Sequence, residues 1–271
     1  MGQHTNSAVT YPELARPTTT GRMADWLARH WLLAFGIVWG LYVGLPWLAP
    51  VLMQIGATGP AQALYVFYST QCHQLPERSF FLFGPKLMYG LPEIQAAFLP
   101  THDTAILRQF IGNAEMGWKV AWSDRMVSFY TSMLMAALVY ARVRWSLSRL
   151  PLWGLVLLML PMALDGGTHM VSDVLGRGVG LGFRDSNVWL AALTGSSFPA
   201  SFYAGDALWS FNWLMRLITG ILAGVGLVWF AFPFIDAAAL ETMRGSARRL
   251  PDAYSGQAGS HIASDGPPAL H

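Results

Sequence analysis

The stretch WLLAFGIVWGLYVGLPWLAPVLM, Trp31 to Met53, runs for 23 residues without a charge. At about 1.5 Å of rise per residue it is long enough, as a helix, to cross a hydrocarbon core of roughly 30 Å. Lipid offers no hydrogen bonds to the backbone, so a spanning segment has to close its own as a helix or belong to a barrel. As a helix this stretch makes the chain a membrane protein, and one span is seldom alone in a chain so apolar.

Three follow. Met126 to Ala141 holds 16 uncharged residues between Arg125 and Arg142, short for a span but adequate if the flanking arginines snorkel. Pro151 to Ser172 is rich in Leu and Met, with Asp165 and His169 in its second half. Ala207 to Ile235 carries one charge, Arg216, and ends in an interfacial cluster of Trp229, Phe230 and Phe232. The expectation is an all-α integral membrane bundle of about four helices, spans 31–53, 126–144, 151–172 and 211–235, inside a membrane domain 31–236. Composition agrees: 54% of residues are hydrophobic, 12 are Trp, and 12% are charged against roughly a quarter in soluble chains. A net charge of +2 with no basic run gives no footprint for nucleic acid. The expected partners are membrane lipids, with other membrane subunits or a second copy as further options.

Four spans put both tails on one side. Arginines 16, 22, 29, 142, 144, 149, 244, 248 and 249 then gather on that side, which the positive-inside rule makes cytoplasmic, so the localisation expected is the cytoplasmic membrane. Residues 1–30 read as a polar tail and 237–271 as a largely disordered one. No cleavable leader is visible, and the first span reads as an uncleaved anchor. The connections 54–125 and 173–210 fall outside, partly helical and folded onto the bundle. Within them, Thr101-His102-Asp103 can cap a helix running toward Ile111, and the apolar part of 59–72 has the length of a re-entrant or interfacial helix rather than a fifth span. Glycines 176–182 lack the Gly-Lys-Ser/Thr ending of a phosphate loop and read as flexible.

Two glycine stripes, Gly36/Gly40/Gly44 and Gly220/Gly224, suit close helix approach inside the bundle. An echo, Asn187 to Gly195 and Asn212 to Gly220, each Asn-x6-Thr-Gly, is short enough to arise by chance.

Charges inside spans are costly and need partners or a wet cavity. Asp165, His169 and Asp173 recur every four residues, which places them on one helical face climbing outward. Arg216 enters the last span at similar depth. An Asp165–Arg216 ion pair is the economical structural reading, with Arg125 a second possible partner. The segment Cys72-His73-Gln74-Leu75-Pro76-Glu77-Arg78-Ser79 falls on the same side. Cys72 or His73 with His169 and one or two of Asp165 and Asp173 would make a mixed ligand set suited to zinc or another transition metal. Glu77, Arg78, Arg125 and Arg216 are the candidates for a small anion or a lipid headgroup. The structural alternatives are a turn before Pro76 and a local Glu77–Arg78 pair. Cys72 is the sole cysteine, so no internal disulfide forms.

These residues resemble the family called domain of unknown function 2085, small multi-pass prokaryotic membrane proteins. The likeness rests on Cys72-His73-Gln74 and Pro76-Glu77-Arg78-Ser79-Phe80, then on Arg125 to Tyr130, Asp165-Gly166 with Thr168-His169, and Arg216 with Thr219-Gly220. It covers roughly 30–236. The family pattern usually has a Cys two residues before the Arg matched by Arg125, and a Cys or Asp just after it. Here Ser123 and Met126 stand there, so part of a cysteine-rich metal set is missing. The segment from Val174 to Trp209 looks like an insertion. The resemblance implies a membrane fold and no established activity. The function expected from all this is an outward polar pocket that binds a metal or a small anionic or lipid-headgroup ligand; the alternative is a non-catalytic accessory or scaffold subunit.

Overall fold

The computed structural model describes residues 19–248; the readings for 1–18 and 249–271 lie outside the described residues. Four helices are long and apolar enough to cross a membrane, contained in α1 (Thr19–Gln54), α5 (Asp124–Val143), α6 (Leu152–Gly176) and α10 (Phe211–Arg248). In the most apolar part of α1, α5 and α6, no more than 22% of the residues are buried inside the chain. Ile37, Leu41, Leu138, Val156, Leu160 and Ile221 all turn outward. So much outward apolar surface on long helices is the signature of lipid contact.

The chain divides into two compact units, one made of the helix ends 19–34 and 234–248, the other of residues 35–233. In the first, α1 leaves helical geometry at His30, and the Trp31 indole donates to Asp236 at 2.9 Å. The second holds the rest of the bundle and both long connections. There α5 and α10 meet through small residues. Ser128 Oγ donates to the Arg216 carbonyl at 3.1 Å and Ser132 Oγ to that of Gly220 at 3.4 Å. A Cβ added at Gly220 would run into Ser128 Oγ, and one at Gly224 would lie 2.6 Å from the Phe129 carbonyl. This stripe is helix packing, as its spacing suggests. The stripe in α1 is not: at Gly36, Gly40 and Gly44 an added Cβ meets nothing within 4 Å.

The connection from α1 to α5 carries α2 (Thr58–Ser69), a 3-10 turn at Pro76–Arg78, β1 (Ser79–Leu82), α3 (Leu91–Ala97), α4 (Thr104–Leu107), β2 (Gly112–Asn113) and β3 (Gly117–Ser123). At 12 residues, α2 is no span. Asp103 caps α4 as its sequence predicts, its carboxylate accepting from the amides of Ala105 and Ile106, but the helix ends at Leu107 and does not run on to Ile111. A three-stranded antiparallel sheet, order β1-β3-β2, is the addition to the all-α expectation. Asn113 Oδ1 accepts from the Glu115 and Met116 amides and so shapes the β2–β3 turn. Tyr65, Tyr68, Cys72, Val120 and Trp122 pack with Val43 and Ala49 of α1, while Leu75, Phe81, Ile94, Leu107, Phe110 and Val179 form a second core. The connection is thus a folded cap on one end of the bundle, here termed the head.

From α6 to α10 run α7 (Phe183–Ser186), α8 (Val188–Leu193) and α9 (Ala200–Tyr203). Glycines 176–182 are packed rather than flexible: a Cβ at Gly178 would lie 2.7 Å from the His102 carbonyl, and one at Gly182 would strike Ser172.

Candidate functional site

The head is organised by carboxylate–guanidinium pairs. Asp173 accepts from both Nη atoms of Arg78, at 3.1 and 3.2 Å, and Asp206 accepts from its Nε at 2.9 Å. The other Asp206 oxygen accepts from Arg216 Nη1 at 2.5 Å, and both oxygens of Asp124 accept from Arg216 Nε at 2.8 Å. A second set centres on Asp165, held by Arg125 Nη2 at 2.7 Å and Arg184 Nη2 at 2.6 Å. The expected Asp165–Arg216 pair is therefore replaced. Arg216 takes Asp124, which opens α5, and Asp206, ahead of α10, while the alternative partner Arg125 does hold Asp165 with Arg184. The local Glu77–Arg78 pair gives way for a similar reason, because Arg78 spends its donors on Asp173 and Asp206.

Burial pushes the Asp206 carboxyl up, but the two guanidinia outweigh it and hold the group well below its ordinary range. Glu77 has no such hydrogen bonds. It is 1% exposed and neither carboxylate oxygen has a hydrogen-bond partner. Burial raises it to about 7 against the opposing charge of Arg78. Lys119 is buried too and donates to the carbonyls of Gln74 and Arg108. Burial lowers it to about 7, with the Glu77 charge opposing.

These shifts have a pH signature. Between 4.5 and about 7, folded Glu77 retains a proton that the unfolded chain has released, so stability falls as pH rises through that window. Full development of the shift is of order 3 kcal/mol. Lys119 acts oppositely between about 7 and 10.5, where the unfolded chain holds the extra proton and stability rises with pH. Glu77→Gln is expected to flatten the pH 5 to 7 limb of the thermal midpoint in detergent; an unchanged slope would remove Glu77 as its source.

A cavity of about 790 Å³ lies among these elements, lined by Cys72, His73, Arg78, Arg125, His169, Asp173 and Arg216 among others. It thus brings together seven of the nine candidates; Glu77 and Asp165 are not in its wall. The metal set does not assemble, since among the described residues no three of His, Cys, Asp and Glu converge on one point. Asp165 and Asp173 instead face guanidinia. Cys72 Sγ donates to Ser123 Oγ at 3.3 Å and accepts from the Gln74 amide. That contact joins the head loop to the start of α5. Ser123→Cys is accordingly expected to oxidise to a 72–123 disulfide, gaining roughly 2 to 4 kcal/mol of stability. Non-reducing peptide mapping reads it, and a purely dithiol product under oxidant would refute the contact.

Residues 114–230 match the family model described as "Predicted membrane protein (DUF2085)". This segment is similar to that family. The DUF2085 match contains Asp124, Arg125, Asp165, His169, Arg184, Asp206 and Arg216, which is nearly the whole charge network, but begins after the Cys72 to Phe80 segment. An uncharacterized protein of the archaeon Methanocaldococcus jannaschii is 25% identical over 194 residues, covering 69% of this chain and 80% of its own. No solved structure matches.

The sequence reading missed Asp124, Arg184 and Asp206. Asp124 was visible beside Arg125, but Arg184 and Asp206 sit in the segment read as an insertion. The Asn187/Asn212 echo was a usable signal: both asparagines are fully buried, each donates to the Arg184 carbonyl, and Asn187 donates to Asn212 at 3.2 Å.

Proposed function

We propose that this membrane protein binds a small anionic group in the head cavity. The observation that carries the reading is the composition of the wall, which presents Arg78, Arg125, Arg177 and Arg216 against the carboxylates of Asp103 and Asp173. The carboxylates that fix these arginines from behind, Asp124, Asp165 and Asp206, are not in it.

Arg78 and Arg216 each have all three nitrogens engaged by aspartates and supply positive potential. Arg125 gives one side-chain bond, to Asp165, and among the described residues the Arg177 side chain makes none, so both keep donors for a ligand. His169 lines the same cavity. Its Nε2 faces Arg184 Nη2, a donor, at 3.2 Å, which leaves the ring proton on Nδ1. Nδ1 is buried without a partner, and a buried N–H of this kind is satisfied by an acceptor. Guanidinia suit phosphate or carboxylate oxygens in bidentate pairs. Arg142, Arg144 and Arg149, in the short link at the ends of α5 and α6 away from the head, support placing the head outside and, with four spans, both tails in the cytoplasm.

Titration of inorganic phosphate into the detergent-purified full chain tests the reading. Arg177→Gln, at an exposed position, is expected to weaken binding about tenfold. Absence of phosphate binding to the wild type would contradict it. The buried, carboxylate-paired Arg78–Asp206–Arg216 chain favours a second reading, a non-catalytic accessory subunit; a stoichiometric membrane partner retained in Arg177→Gln, with no anion bound, would select it.

A further inference from the structure

Resting on the anion reading above, we infer that the ligand is the headgroup of an anionic membrane lipid, admitted sideways from the bilayer between α5 and α6. The cavity wall is not confined to the cap. It includes Gly166, His169, Met170, Asp173 and Val174 of α6 and Met126 of α5, all within candidate spans. Met170 is 65% and Val174 71% exposed. On a spanning helix such side chains face lipid, so the rim of the cavity is continuous with the lipid-facing surface.

Arg125 reaches across this seam. Its Nη1 lies 2.5 Å from the position a Cβ would take on Gly166, so the guanidinium crosses α6 where α6 has no side chain. At the top of the same helix Arg177 takes the left-handed capping position, φ 59°, and lines the cavity. From His169 to Arg177 the helix rises about 12 Å, enough to carry the wall from within the apolar span through a headgroup layer of roughly 5 to 7 Å. Two cations with spare donors, at the ends of two spans and beside an apolar rim, match a phosphate tethered to acyl chains better than a free ion. The free ion would need no Met170 or Val174 at its entrance.

Native mass spectrometry of the delipidated full chain with phosphatidylglycerol, phosphatidylcholine or soluble glycerol phosphate tests this. The expected result is preferential retention of phosphatidylglycerol, reduced about tenfold by Arg177→Gln. Met170→Trp, a change at an exposed site that narrows the rim, should reduce lipid retention about fivefold or more. Glycerol phosphate binding without preference for the anionic lipid would overturn the lipid inference and leave the anion reading standing. Lipid retention indifferent to Arg177→Gln and Met170→Trp would also overturn it, and binding of neither phosphate nor lipid would overturn both.

Discussion

Asp206→Ala is expected to destabilise the protein by about 3 to 5 kcal/mol, the cost of removing one partner from a buried ion pair. Asp206 is 3% exposed on its side chain and bridges two arginines that themselves are largely buried, Arg78 at 12% and Arg216 at 2%. Its backbone carbonyl takes a further donor from Arg216, at 2.9 Å. The substitution leaves that last bond but takes one of two carboxylate partners from each guanidinium. Asp173, 23% exposed, has water to replace it, and Asp173→Asn should cost no more than about 1 kcal/mol. Thermal unfolding of the two variants in detergent separates them. Equal, small losses would mean that the network does not hold the head together.

Gly224→Val should be the most damaging change among the glycines of the spans. The new Cβ would lie 2.6 Å from the Phe129 carbonyl and 3.2 Å from the Met133 amide, both backbone atoms of α5 that no rotamer change can move. Overpacking of this kind costs typically 1 to 3 kcal/mol or more, and parting the helices would also break the Ser132 to Gly220 hydrogen bond. Gly40→Leu, in α1, meets nothing within 4 Å and should shift stability by less than about 0.5 kcal/mol. Comparable losses from both would place the tight α5–α10 seam elsewhere.

The spans were legible because lipid imposes a coarse rule, a long run without charge, that depends on no partner. Trp31 to Met53 and Ala207 to Ile235 show it directly. The sheet was not, because β3 is buried at Gly117, Val120, Ala121 and Trp122, with buried Lys119 between them, and a strand covered on both faces loses the alternation that marks it. The site was half legible. Ionisable residues on an apolar helix pointed to Asp165, His169 and Arg216, and Cys72, His73 and Arg78 line one cavity with His169 and Asp173. Pairings were not, since spacing gives the face of a helix but not which of several loop charges folds over it. Asp206 and Arg184 lie between short helices whose placement depends on contacts such as Asn187 with Asn212. The two glycine stripes make the same point. Their sequences are alike, and only the neighbour opposite Gly220 and Gly224 distinguishes them.

A crystal of the full chain soaked in selenate tests the proposed anion site most directly. The anion is expected in the head cavity, within hydrogen-bonding reach of the Arg125 and Arg177 guanidinia. Selenate absent from that cavity while ordered elsewhere on the protein, or a cation held there by His73 and Asp173, would contradict the account.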